Sequence, residues 1–355
     1  MTTQAVAPES DAKGVRIAVD AMGGDHGPTE VVPGALDHAR AHPQDRVLLV
    51  GDEARIRAIA GDLPANVAIV HASQVIEMDE HPTRALREKK DASVLVACEL
   101  VRKGDADAVL TAGHTGAAMA AAVLRVGRLP GVDRPALAVQ MIRNGTPIVL
   151  LDIGANPDSS AENLVQYARM GAIFAEQVVG IDNPRVALLS IGEEKGKGDL
   201  RIQQATELLD LSGLNFVGNV EGRDLSGTLA DVVVTDAVAG NIVIKFFEGL
   251  STFIFDLFRA EFRGSIRGRL AYLLFRPAIR RIRDVFDYEK AGGSPLLGVR
   301  GSVIITHGSA RRRMIGFGCA VAAQTARKNV PALIAAAFQI ATPDAAGPGP
   351  SGDAT

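Results

Sequence analysis

The chain has 355 residues, 47% hydrophobic and 22% charged, with 37 glycines, no tryptophan and a formal net charge of −3. That much apolar material builds a large core and excludes a mainly disordered chain; the length suits about two domains or one large α/β domain. Two cysteines, Cys98 and Cys319, exclude a disulfide framework and a cysteine-based zinc cluster, and the charge balance gives no reason to expect nucleic acid.

Residues 1–14 lack a basic n-region and an apolar stretch, so they read as a loose leader and not as a secretory signal. Strands are predicted at 16–21, 46–51, 67–72, 108–113, 148–154, 185–192, 231–236 and 303–308. Helices are predicted at 29–41, 115–126, 160–179 and 200–209. The strand runs are apolar without alternation, as in a parallel sheet covered by helices on both faces. The expected fold is α/β, a doubly wound sandwich with a mostly parallel sheet; eight strands also suit a closed barrel. The tail, 342–355, is rich in Pro, Gly and Ala and is expected to be disordered, which leaves 15–341 as the folded part. No run of 18 apolar residues occurs, so no membrane-spanning helix is expected, and a cytoplasmic location follows.

The segments after the strands read DAMGGDHGP, TAGHTGAA, DIGANPDSS, SIGEEKGKGD, TDAVAGN and THGSA. Ligands of open α/β sheets bind at the carboxyl ends of the strands. Several of these loops run straight into a helix whose free N–H groups can hold an anion. Together they predict an anion-binding crevice. GxxxxGK[ST] and HExxH are absent, and AMGGDHGP after the first strand is not GxGxxG, so no cofactor and no metal is expected.

Individual residues in these loops carry candidate roles. Asp20 and Asp25 flank a glycine pair that includes Gly24, with His26 next. Gly113, His114, Thr115 and Gly116 open a helix, where Thr115 either caps the first turn or bonds a phosphate oxygen. Asn156 can polarise a carbonyl without carrying charge, or close a turn. Lys195 and Lys197, on a glycine-rich loop, can neutralise a phosphate. Asp236, Gly240 and Asn241 precede a helix expected to start near Ile242, with Asn241 as its cap and Lys245 on the same face. His307 and Ser309 follow the last strand. No GxSxG elbow accompanies them, which argues against a serine hydrolase. Cys98 and Cys319 sit in apolar helical runs and read as core.

Residues 246–288 stand apart. Between Arg259 and Arg283 there are eight arginines, offset only by Glu261. The pattern predicts two amphipathic helices joined near 264–268, with Pro277 bending the second. Arg263, Arg267, Arg269, Leu273 and Leu274 are the expected docking residues. An anionic membrane surface, an acidic protein and a dimer contact all suit such a hairpin.

The segments AVDAMGGDHGP, TAGHTGAAMAA, GRLPGVDRPALA, LDIGANPD, NPRVALLSIGEEKGKG, NFVGNVEGRD, ADVVVTDAVAGNIVIK and SPLLGVRGSVIITHGS resemble the PlsX phosphate acyltransferases of bacterial phospholipid synthesis, over about 15–330. The resemblance implies transfer of a long-chain acyl group from acyl carrier protein to inorganic phosphate, giving acyl phosphate. It implies a homodimer with an α/β/α fold akin to phosphotransacetylases and isopropylmalate dehydrogenases. It also implies peripheral membrane contact through the hairpin, and a downstream glycerol-phosphate acyltransferase as a further partner. Phosphate is itself a nucleophile, so the protein has to position it and stabilise an oxyanion. Lys197, Asn156, Asp236 and Asn241 are the residues expected at the reacting centre, and the other loop residues are expected to bind phosphate or substrate. The family reads AGNTGA where this chain has His114, and DGxxGN where it has Ala237. The alternatives are a coenzyme A or enzyme-bound acyl donor, a nicotinamide-dependent dehydrogenase of the related fold, and a membrane-binding scaffold.

Overall fold

One sheet of eleven strands runs through the computed structural model, which describes residues 13–143, 146–285 and 287–340. The predicted tail, and all of the leader but its last two residues, lie outside the described residues. In chain order the elements of the first half are β1 (Arg16–Asp20), α1 (Gly27–Ala41), β2 (Arg46–Gly51), α2 (Glu53–Ala60), β3 (Val67–His71), α3 (Pro82–Glu88), α4 (Ser93–Lys103), β4 (Ala108–Thr111) and α5 (Thr115–Ala121). Next come β5 (Ala136–Arg143), β6 (Thr146–Leu151), α6 (Ala161–Phe174), β7 (Val186–Leu189), α7 (Leu200–Asp210), β8 (Phe216–Val220) and β9 (Val232–Val234). The chain closes with α8 (Ala237–Arg263), α9 (Ile266–Val285), β10 (Ser294–Leu297), β11 (Ser302–Ile305), α10 (Arg312–Arg327) and α11 (Val330–Ile340).

The strand order is β3-β2-β1-β4-β11-β10-β5-β6-β9-β7-β8. The sheet is open, with β3 and β8 at its edges, so the barrel alternative is overturned. Pairing is parallel except at the centre, where β10 runs antiparallel to β11 and β5, and β5 antiparallel to β6. The sequence missed β5, β8 and β10.

Helices cover both faces because the strands are apolar on both. Val31, Val32 and Ala35 of α1 and Ile315 and Cys319 of α10 pack on one face of β1 and β4. Leu95 and Cys98 of α4 and Ala117 and Ala121 of α5 cover the other. In the second half, Leu164, Tyr167 and Ala168 of α6 lie over Val149 and Val232. Burial pushes the thiols of Cys98 and Cys319 up to about 12, in keeping with their reading as core.

The predicted hairpin is present as α8 and α9, with the break at Gly264 and Pro277 inside α9. Its first helix is longer than expected. α8 begins at Ala237, on the site itself, and is long and apolar enough by length and composition to cross a bilayer. That corrects the expectation that no such segment exists. Ala237, Gly240 and Ser251 are buried against the protein, so α8 is anchored in the fold and runs outward from it.

Candidate active site

Three strand ends interlock on one side of the site. Asp20 is buried at the end of β1, where the Thr111 hydroxyl donates to its Oδ2 at 2.7 Å. Burial raises the Asp20 pKa despite this bond, and its Oδ1 is buried without a partner. The loop beside it has no room for side chains. A Cβ on Gly23 would lie 2.8 Å from the Gly113 nitrogen, and one on Gly24, whose φ is +90°, would lie 2.9 Å from the Gly308 carbonyl. The Asp25 N–H donates to that same carbonyl at 2.8 Å. His26 precedes α1 without a side-chain capping bond.

After β4 the helix cap is His114, and not Thr115. Its Nδ1 accepts from the backbone N–H of Gly116 at 3.1 Å and of Ala117 at 3.4 Å. The imidazole thus supplies the acceptor that an asparagine side chain gives at such a position. Thr115 is released from capping, is exposed and faces the cleft.

The opposite side is organised by Asp152, which the sequence reading passed over. Its carboxylate accepts from the N–H groups of Leu137, Gly154, Ala155 and Asn156 at 2.8–3.2 Å. Burial raises its pKa against the pull of these bonds. Asn156 gives one amide hydrogen to the Pro135 carbonyl at 2.7 Å and the other to Asp152 at 3.0 Å. With both hydrogens committed, Asn156 positions the loop and has none left to polarise a substrate carbonyl, contrary to the expected role.

Asp236, and not Asn241, caps α8. One oxygen accepts from Val238 N and Ala239 N at 2.8 and 3.0 Å. The other pairs with Arg201 at 2.9 Å, and Arg201 also reaches Asp199 and the Ser159 carbonyl. Arg201, also missed from sequence, therefore ties three strand-end loops together. Ala237 is a buried first helical residue with no need of glycine. Gly240 is different, because a Cβ there would collide with the Asp152 carbonyl. The Gly116 and Ala117 amides of α5 and the Val238 and Ala239 amides of α8 are thus spent on their caps, so these N–H groups are not free to hold an anion, and side chains supply further donors.

Those donors line a cleft of about 770 Å³ between the two sides. Thr115, Asn241, Lys245 and His307 are among its polar lining residues, and Val139, Ile153, Phe247 and Phe317 are among its apolar ones. Asn241, Lys245 and Glu248 share one face of α8. Lys245 Nζ lies 2.9 Å from Glu248 Oε2 and 2.7 Å from His307 Nε2, and His307 Nδ1 lies 2.7 Å from Ser309 Oγ. Neither Lys195 nor Lys197 is among the residues lining the cleft. Lys195 pairs with Asp210, and Lys197 is exposed on its loop. Arg263, Arg267, Leu273 and Leu274 are exposed on the hairpin, away from this centre, while the Arg269 side chain lies outside the described residues.

The fatty acid synthesis protein family matches residues 15–333 of the chain. A phosphate acyltransferase of Desulfitobacterium hafniense is 47% identical over 304 residues, 85% of this chain and 90% of that protein. The chain belongs to the PlsX-type phosphate acyltransferases. Phosphate acyltransferases of Nitratidesulfovibrio vulgaris and Myxococcus xanthus match the enzyme at 46% and 45% identity, over 88% and 87% of its chain and 92% and 90% of theirs. Among solved structures, a phosphotransacetylase from Streptococcus pyogenes has a TM-score of 0.61 at 17% identity, covering 88% of this chain and 94% of that one. A 4-hydroxythreonine-4-phosphate dehydrogenase from Klebsiella pneumoniae has a TM-score of 0.53 at 13% identity, covering 90% and 99%. The acyltransferase shares its fold with both groups, and the likeness is one of fold alone.

Proposed function

We propose that this phosphate acyltransferase of fatty acid and phospholipid synthesis takes a long-chain acyl group from acyl carrier protein and delivers it to inorganic phosphate, releasing acyl phosphate. The observation that carries the reading is the cleft, whose lining combines apolar side chains with uncharged and cationic donors. Its volume falls in the usual range of ~300–1,000 Å³ for small-molecule sites. An aliphatic chain along Val139, Ile153, Phe247 and Phe317 sets the thioester carbonyl beside Thr115, Asn241 and Lys245. These three hold the phosphate dianion against that carbonyl. A phosphate oxygen attacks the carbonyl carbon, and the Asn241 amide and Lys245 charge stabilise the oxyanion. Collapse breaks the carbon–sulfur bond and leaves the carrier thiol. The positive charge falls to Lys245 rather than to Lys197, because Lys245 lies in the cleft.

The exposed arginines of α8 and α9 suit an acidic carrier protein during delivery and an anionic membrane during release. The working form is a homodimer at the inner face of the cell membrane, where the product meets a glycerol-phosphate acyltransferase. The test is incubation of the protein with palmitoyl-acyl carrier protein, with and without phosphate, with assay of free carrier thiol and acyl phosphate. Thiol release should require phosphate and match acyl phosphate mole for mole. Release that continues unchanged without phosphate, yielding only free fatty acid, would falsify the reading.

A further inference from the structure

A second groove, about 940 Å³ in volume, lies between α8 and α9. Five arginines line it: Arg259 and Arg263 from α8, and Arg276, Arg280 and Arg283 from α9. On each helix they recur three or four residues apart, so they share one face, and like charges at this spacing destabilise a helix. The carboxylates of the groove leave most of this charge unanswered. Asp256 pairs with Arg259 at 2.5 Å, while Asp287 and Glu289 are held by Arg313 at 2.6 and 2.9 Å. Among the described residues, Arg263, Arg276, Arg280 and Arg283 pair with no carboxylate. The same groove is lined by Phe258, Phe262, Leu273 and Ile279. The Phe262 ring lies 6.5 Å from that of Phe258 and 5.6 Å from that of Tyr272, centroid to centroid. Unpaired charge of one sign beside apolar surface fits an amphiphile with an anionic head.

The groove adjoins the cleft. On α8 the cleft lining ends at Glu248 and the groove lining begins at Ser251, about 4.5 Å further along the helix axis. Asp287 lines both. We propose that the groove is a second binding site, which takes the acyl phosphate from the cleft and holds its phosphate among the unpaired arginines and its chain along the aromatic side chains. This rests on acyl phosphate being the product. A phosphate dianion accepts from several guanidinium groups at once, and planar guanidinium forks match its oxygens. The chain is spared the cost of exposing each methylene to water as it leaves the cleft. A second copy of the chain suits the groove less well, because a symmetric contact sets the same arginines against each other.

The test uses decylphosphonate, a stable stand-in for acyl phosphate, in equilibrium dialysis with the full-length enzyme and below the concentration at which the probe forms micelles. Wild type should bind one molecule more per chain than a variant carrying Arg276→Gln and Arg280→Gln, in which the groove site weakens at least about 10-fold. Arg276→Lys with Arg280→Lys keeps the charge and should keep the site. Decyl methyl phosphate, a singly charged diester like a lipid headgroup, should bind the groove at least about 10-fold more weakly than the phosphonate dianion. Equal stoichiometry in wild type and the glutamine variant would overturn the proposal. So would a difference that decyltrimethylammonium reproduces, since the groove would then select for the chain alone. Equal binding of the diester would assign the groove to lipid headgroups, and loss of dimer mass as the only change in the glutamine variant would assign it to a second copy. Wild-type enzyme that makes no acyl phosphate from palmitoyl-acyl carrier protein would remove the product as the ligand, whereas a missing groove site alongside normal acyl phosphate synthesis would overturn the groove alone. A melting temperature equal to that of wild type confirms that each variant is folded.

Discussion

Asp152 illustrates how a carboxylate with no exposed surface fixes a site. It is fully buried, yet four backbone N–H groups and the Asn156 amide point at it. Replacing it with alanine orphans all of these donors at once, and a buried network broken from one side costs about 3–5 kcal/mol. Asp152→Ala should therefore lower the unfolding free energy by roughly that amount, read from urea denaturation. Turnover should fall too, because Gly154 and Pro157 form part of the cleft wall. A stable variant with wild-type kinetics would show that the loop holds itself. At this scale the sequence exposed positions better than roles. Asn156 was visible as a polar residue at a strand end. Its partner Pro135 lies 21 residues earlier on another segment, and no local pattern encodes that contact. His114 stands where the family it resembles reads asparagine, and its ring nitrogen accepts the kind of capping bond an asparagine oxygen would.

The start of α8 decides which side chains reach the cleft. A sequence-based start near Ile242 left Asn241 outside the helix as its cap. The actual start at Ala237 places Asn241, Lys245 and Glu248 along one inner face. The clue was present in Asp236, an acceptor two and three residues before the N–H groups it caps. Gly240 lets this turn lie against the end of β6. Gly240→Ala should push α8 off the Asp152 carbonyl and reduce turnover by at least about 10-fold, since misplacement by about 1 Å is worth 100-fold. The melting temperature should drop as well. Kinetics like wild type would mean that α8 shifts without moving Asn241 and Lys245. Among strands, β5 escaped notice although Asn144-Gly145 divides it from β6, a dipeptide favoured between paired strands. β5 is not an uninterrupted apolar run, because Gln140 and Arg143 stand in its latter half.

Across the whole molecule, the fold class was legible because strands buried on both faces need no alternation. Strand order was not legible, because it is set by crossovers between segments far apart in the chain. The hairpin was legible as an amphipathic, arginine-rich pair, and its helices do expose large apolar side chains: Leu273 is 63% exposed and Leu274 81%. An interface between water and lipid takes both kinds of side chain, apolar groups below the headgroups and arginine stems reaching back to phosphate. The enzyme should co-sediment with anionic vesicles, release as salt rises, and bind less when Leu273 and Leu274 are both replaced by Asp. Equal binding to neutral and anionic vesicles would rule out the electrostatic part. The continuity of α8 also fixes an angular relation. Between Gly240 in the core and Arg263 at the bend there is no break in the helix, and each residue turns it by about 100°. One residue inserted there would rotate the hairpin's apolar stripe by about that angle around the axis, while seven would return it to within about 20°. Length variation in this stretch is therefore tolerated only in whole turns, as with the thread of a screw.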